Sequence, residues 1–332
     1  MKSPYYLKRA VYWLLGTPLV ADNPLYHRLY LLDVYNKAPR LEGKPKWLTI
    51  ETTNKCNVAC VFCAHKIMKR HQGTMTDTLY RNLIHQAAGI GIENIILTGF
   101  GEPLMDKHII QRIKFAKDAG IKFVLMGTNG ILLDEDMAQS ILDSGLDHLC
   151  ISIDSVAPQS YSRIHNCSIN NYHKVYANVD HLIRLREQRG LTKPVIEVRF
   201  KDLPENKGER GNFAKRWQGL ADYITLYMNI FNWPLSGMPS SIPKSARIHK
   251  FPCYNLWIGL HIMWDGRAAL CCQDYNCVEA IGNTNLESLR EIWFGLRLKR
   301  LRAWHIEGHY DCNPVCGDCI INTQLVNPVW GK

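Results

Sequence analysis

The sequence contains no run of about 18 apolar residues, so no membrane-spanning helix is expected. Internal repeats and low-complexity tracts are also absent, which excludes solenoid and compositionally disordered architectures. A secretory signal is lacking too. Lys2, Lys8 and Arg9 precede the apolar stretch Ala10–Leu15, but Gly16, Thr17 and Pro18 interrupt it and no small-x-small cleavage site follows. The segment is expected to belong to the mature protein. Its amphipathic stretch Tyr5–Leu15 reads as a short helix packed on the main domain. No cysteine precedes Cys56, yet the 332 residues contain twelve, all but Cys150 and Cys167 gathered at 56–63 and 253–319. A chain this long does not need a disulfide scaffold, so a cytoplasmic setting and metal-binding thiols are expected.

The charge is less one-sided than the net value of +10 suggests. Lysine and arginine are scattered, with local concentrations only at Lys66–Arg70 and Arg297–Arg302. Neither carries the interleaved aromatics of a single-strand binding platform, so no nucleic-acid partner is expected. A solvated basic surface is the expected reading of this scatter, with anionic partners such as nucleotide sugars or an acidic redox donor as the alternative.

From residue 47 to about 235, short β-rich runs alternate with amphipathic helical stretches. The expected strands are Trp47–Glu51, Asn94–Thr98, Ile121–Met126, His148–Ile153, Val195–Phe200 and Tyr223–Met228. Between them, apolar residues recur at helical spacing: Leu79, Leu83 and Ala87; Ile109, Ile113 and Ala116; Val175, Val179 and Leu182. Asp134 stands where an N-cap belongs. Such alternation means parallel strands and right-handed crossovers. The expected fold class is α/β, a partial (βα)6 TIM-like barrel over residues 47–235, preceded by a helical extension over 1–46. Residues 236–332 read as a Pro/Ser/Lys-rich linker and a small cysteine-rich domain. In that domain, Trp257–Trp264 and Arg267–Cys271 flank Asp265-Gly266, a type I′ hairpin signal. A helix carrying Leu286, Leu289, Ile292 and Trp293 follows.

Cys56-x3-Cys60-x2-Cys63 follows the first strand directly, with Phe62 before the third cysteine. Three thiolates from one loop can hold three corners of a cubane cluster and leave one iron open to a small molecule. A tetrahedral zinc site with His65 or His71 as fourth ligand is the other chemistry available. This spacing resembles the signature of the radical SAM superfamily. The resemblance implies that Cys56, Cys60 and Cys63 bind a [4Fe–4S] cluster whose open iron chelates S-adenosylmethionine. Cleavage of that cofactor then yields a 5′-deoxyadenosyl radical, with flavodoxin or ferredoxin as reductant.

Other strand ends support the resemblance. Gly99-Phe100-Gly101-Glu102-Pro103 stands where the family carries Gly-Gly-Glu-Pro, with Phe100 replacing the first glycine of that tetrad. The family role implies that Gly99, Gly101 and Glu102 contact the methionine ammonium. Thr128-Asn129-Gly130, Ser152 and Asp154 stand at later strand ends, and the resemblance implies cofactor contacts from Asn129, Ser152 and Asp154. Turn and cap chemistry is the alternative for Thr128 and Asn129. Arg199 is either a partner for the methionine carboxylate or half of a buried ion pair.

Cys253, Cys271, Cys316 and Cys319 form a second set, which resembles the SPASM extension or its one-cluster form, Twitch. The middle cysteine run of a full SPASM pattern is missing, so one auxiliary [4Fe–4S] cluster is implied, with a zinc ribbon as the alternative. Order and spacing are similar to a one-cluster branch that dehydrogenates an aminocyclitol. The implied reaction is therefore hydrogen abstraction from a carbohydrate-like small molecule (a sugar, aminocyclitol or nucleotide sugar), with the auxiliary cluster taking an electron and an alcohol becoming a ketone. The aromatic segment Asn229–Pro234 is a candidate sugar-binding wall. A radical epimerase is the runner-up, with Cys150, Cys167, Cys272, Cys277 or Cys312 returning a hydrogen. No peptide-recognition domain of about 80 residues is recognisable ahead of residue 47, which disfavours a peptide modifier. A non-catalytic iron–sulfur carrier would have no use for the strand-end motifs.

Overall fold

The structure is a computed structural model that describes residues 43–227, 233–237 and 252–319. The expected N-terminal helix, most of the linker and Asn229–Asn232 lie outside the described residues. Six parallel strands build the barrel wall: β1 (Trp47–Ile50), β2 (Asn94–Leu97), β3 (Phe123–Thr128), β4 (His148–Ser152), β5 (Val195–Lys201) and β6 (Tyr223–Tyr227). They are joined through helices α1 (Asp77–Gly89), α2 (Ile109–Asp118), α3 (Glu135–Leu142), α4 (Pro158–His165), α5 (Ile169–Gln188) and α6 (Arg210–Trp217). Strand residues alternate as a two-residue period requires. Leu48 and Ile50 of β1 are fully buried against the helices, while Trp47 and Thr49 face the other side.

The helices follow from the same patterning. Ile109, Ile113 and Ala116 of α2 and Val175, Val179 and Leu182 of α5 are buried as one face each. On α1, Leu83 and Ala87 are buried and Leu79 is half-buried. Asp134 caps α3 by accepting the Met137 N–H at 3.0 Å. The third strand begins two residues later than its apolar run suggests. Ile121 instead closes the end of α2, donating its N–H to the Ala116 carbonyl across Gly120, whose φ is +88°.

The tail is stitched into the same sheet. Strand β7 (Gly259–Ile262) pairs in parallel with β1, placing His261 beside Thr49. Strands β8 (Arg267–Ala269) and β9 (Gly282–Asn283) add antiparallel, giving the order β6-β5-β4-β3-β2-β1-β7-β8-β9. Three expectations need correction here. Trp257 belongs to a helical turn, Asn255–Ile258, and the strand starts at Gly259, where a Cβ would lie 2.6 Å from the Trp47 carbonyl oxygen. The hairpin is not type I′. The Gly266 N–H donates to Met263 O and only Gly266 has positive φ (+91°), which is a turn closed by a glycine bulge. Leu286 is 83% exposed, because Ser288 caps α7 (Leu289–Phe294) in a capping box with Glu291 and the helix starts only at Leu289. Helices α8 (Leu296–Glu307) and α9 (Pro314–Asp318) complete the tail.

One buried ion pair ties barrel to tail. Arg70 donates from Nη1 and Nη2 to the two Glu51 carboxylate oxygens at 2.7 and 2.8 Å, and from Nε to the Tyr275 carbonyl at 2.7 Å. Glu51 also accepts the Phe100 N–H at 3.1 Å. Replacing Arg70 with Met strands the Glu51 charge and should lower stability in denaturant titrations by about 3–5 kcal/mol. The double variant Glu51→Leu/Arg70→Met should recover most of that loss. If it does not, the penalty comes from packing rather than from the orphaned charge.

Candidate active site

The loop after β1 is pinned from two sides. Ala59 and Val61 donate their N–H groups to His165 and Ile164 at the end of α4, at 3.3 and 2.8 Å. The Asn54 side chain spans the loop's return, accepting from Gly73 N–H at 2.7 Å and donating to His71 O at 2.8 Å. Cys56, Cys60 and Cys63 thereby face one another closely enough for each thiol's charge to act on its neighbours. Cys60 Sγ lies 3.2 Å from His165 Nδ1. His65, the candidate zinc ligand, has its Nε2 3.0 Å from the Asn54 carbonyl.

The strand-end motifs behave mostly as braces. A Cβ at Gly101 would stand 2.3 Å from the Thr53 carbonyl oxygen, so only glycine fits there. Gly99 is similarly crowded by Glu51. Glu102 is buried, and desolvation pushes its carboxyl above the usual range. Its oxygens accept from Thr128 Oγ1 and Asn129 N–H, both at 2.7 Å, and from Leu104 N–H at 3.0 Å. Asn129 donates in turn to Asn57 Oδ1 at 2.7 Å. Glu102 thus spends its acceptors joining the loops after β2 and β3. Phe100, in place of a glycine, packs its ring 5.6 Å from Trp233 and 6.3 Å from Tyr275, filling the join between barrel and tail.

On the far wall, Ser152 is half-buried at the end of β4. Asp154 is fully buried with φ +60° and accepts the Lys201 N–H at 2.8 Å, with Lys201 Nζ at 3.4 Å. Arg199 does not join the cysteine loop. It donates to Glu197 at 2.7 Å and lies 2.8 Å from Cys150 Sγ, so the buried ion pair is the arrangement present. Among the described residues, His148, Cys150 and Glu197 are the set of ligand-type side chains whose donor atoms all lie within 4.8 Å, and Arg199 already neutralises it.

Sequence reasoning missed Lys201, one two-residue period beyond Arg199 on β5. Its ammonium sits 4.7 Å over the Phe62 ring, and its charge favours the thiolates of Cys60 and Cys63. His261 was missed as well, because β7 reads as an ordinary hairpin arm until its pairing with β1 is known. Both residues line a chamber of about 400 Å³ that also touches Cys63, Phe100, Trp233, Cys271 and Cys272. Burial pushes the His261 imidazole down to about 4, so it is neutral near pH 7.

Cys253, Cys271, Cys316 and Cys319 line a much smaller cavity, about 20 Å³, with Leu256, Val315 and His305. Cys272, the neighbour of Cys271, opens to the chamber instead. Burial raises the thiols of Cys60, Cys63, Cys253 and Cys271, and that of Cys56 to about 11, a penalty that a bound metal cation offsets. Three thiols on one loop and four around one cavity are the donor sets of an open and of a fully ligated cubane.

Residues 50–189 match the model of the Radical SAM superfamily, and residues 253–320 match that of SPASM, an iron-sulfur cluster-binding domain. A probable GTP 3',8-cyclase of Methanothermobacter marburgensis is 32% identical over 34% of this chain and 37% of its own length. The GTP 3',8-cyclase of Alkaliphilus oremlandii is 33% identical over 46% of each. The chain thus spans less than half the length of these curated relatives. Among solved structures, BtrN in complex with AdoMet and 2-DOIA superposes with a TM-score of 0.55 at 17% identity, covering 83% of this chain and 93% of BtrN. Streptococcus suis SuiB bound to S-adenosylmethionine gives 0.64 at 11% identity, covering 82% and 72%. These likenesses establish the partial-barrel fold. With the two domain matches and the two cysteine-lined sites, the chain is a radical SAM protein with a C-terminal SPASM domain, using S-adenosylmethionine and two iron–sulfur clusters.

Proposed function

We propose that the protein oxidises a secondary alcohol of a carbohydrate-like small molecule to a ketone. The observation that carries this reading is the chamber, whose walls include Cys63 of the first cysteine set and Cys271 of the second. A substrate there lies between the radical source and an electron acceptor. When bound, S-adenosylmethionine on the first cluster supplies a 5′-deoxyadenosyl radical, and the second cluster accepts one electron. The chain's own residues bind, orient and move the proton. Cys56, Cys60 and Cys63 hold the first cluster, and Cys253, Cys271, Cys316 and Cys319 hold the second. Lys201, rather than Arg199, is the cation positioned for the methionine carboxylate. Ser152 offers a hydroxyl to the cofactor, while Glu102, Asn129 and Asp154 fix the walls around it. Phe100 and Trp233 present an apolar wall on which a sugar ring face can pack.

Losing a carbinol hydrogen and then an electron leaves a protonated carbonyl, a strong acid, so even a weakly basic imidazole accepts its proton. His261 is neutral and lines the chamber, and its ring makes no hydrogen bond among the described residues. It is therefore the proposed proton acceptor. A second reading rests on Cys272, the spare cysteine that faces the chamber. It stands where an epimerase's hydrogen donor would.

Three measurements test these assignments. Anaerobically reconstituted protein should carry about eight irons per chain, and replacing Cys316 and Cys319 with Ala should remove about half of them. Zinc in the tail, or unchanged iron, rejects the second ligand set. Turnover in deuterated water should give a ketone two mass units lighter than its substrate, with one 5′-deoxyadenosine per product. A product of unchanged redox level, one mass unit heavier through one carbon-bound deuterium, selects the Cys272 reading. His261→Asn should keep substrate-dependent 5′-deoxyadenosine formation while ketone per 5′-deoxyadenosine falls by at least about tenfold. Equal loss of both products removes His261 from the proton step.

A further inference from the structure

We propose that the outer face of α8, with the adjoining end of α7, docks an acidic one-electron carrier protein of the flavodoxin or ferredoxin kind, which exchanges electrons with the tail cluster. The inference rests on the reading of the tail cysteines as ligands of an electron-accepting cluster.

Helix α8 has two chemically opposite faces. Leu298, Leu301, Arg302 and His305 are buried. His305 lines the four-cysteine cavity, and its Nδ1 accepts the Cys253 N–H at 3.1 Å. The opposite face exposes Arg297, Lys299 and Arg300 around Leu296, which is 85% exposed. At the end of α7, Arg290 lies over the ring of Phe294, itself 36% exposed. Among the described residues, Arg297, Lys299 and Arg300 form no ion pair with a carboxylate. An exposed leucine and phenylalanine ringed by arginines have the composition of an interface centre.

Position selects the partner. A helix with its side chains is about 10 Å across, and Lys299 lies about 9 Å along the axis from His305, so a molecule seated on this face is within roughly 15 Å of the cysteine cavity. Each oxidation leaves one electron on the tail side, and it has to depart before the next turnover. One electron then passes outward to the oxidised carrier: the carrier is reduced by one, the cluster is oxidised by one, and no bond forms or breaks. Flavodoxins and ferredoxins present acidic surfaces, which complement this basic face and speed encounter. Single-stranded RNA would also meet the charge, but it gains nothing from adjacency to the cysteines.

The test uses the full-length holoprotein and a charge-reversed variant, Arg297→Glu/Lys299→Glu/Arg300→Glu. Calorimetry with a purified bacterial flavodoxin, and separately with a plant-type ferredoxin, should show affinity at low salt for at least one carrier. The variant should bind that carrier at least about tenfold more weakly, and the wild-type affinity should fall with salt. In full-length protein also carrying Cys56→Ala, Cys60→Ala and Cys63→Ala, stopped-flow reduction by the reduced carrier should slow by a similar factor. Reduction by dithionite should change less than about threefold, which shows that the cluster itself is intact. Equal carrier binding in variant and wild type, or no binding of either carrier, overturns the proposal. So does RNA binding that is tighter than carrier binding and lost on charge reversal. Absence of iron from the protein lacking the first three cysteines indicts the tail-ligand reading instead, while the calorimetric arm still judges the docking face.

Discussion

The arrangement depends on a charge that has been taken out of water. Glu51 ends β1 where the cysteine loop departs, and its carboxylate is held by Arg70, the residue on which that loop returns. The same carboxylate receives the backbone of Phe100 from the strand-end motif, and the same guanidinium reaches the Tyr275 carbonyl in the tail. A buried carboxylate tolerates no idle lone pair, so each of these segments is fixed relative to the others. The crowding of Gly99 against Glu51 belongs to the same constraint.

Much of the barrel was legible in the sequence because its signals are local. Two-residue alternation in the strands, three apolar helix faces and the Asp134 cap each act within a few residues, and each appears where expected. The errors lie where a local signal competed with another. Asp265-Gly266 suggested a two-residue turn, but the chain uses the glycine as a bulge one position later. Leu286 extended an apolar spacing past a capping box that starts the helix at Leu289.

The chemistry was legible to a lesser degree. Cysteine spacing marks cluster loops strongly, because few other uses demand it. The polar strand-end residues were harder, since Glu102, Asn129 and Asp154 carry the types a cofactor site needs but spend hydrogen bonds on neighbouring loops. Lys201 was hidden by the more conspicuous Arg199. No local pattern could reveal His261, which enters the chamber only because β7 lies beside β1, some two hundred residues away in sequence.

That pairing has a consequence for how the protein is made. Strand β1 emerges early in synthesis, yet one of its edges stays unpaired until residues 259–262 have been released. The nascent barrel therefore carries an open seam, beside the very loop that is to receive the radical-generating cluster. Closing the seam requires the tail, and the tail brings the second cysteine set with it. A chain that stops short of residue 259 therefore lacks the strand that covers this edge of β1, and long-range parallel pairing of this kind forms late.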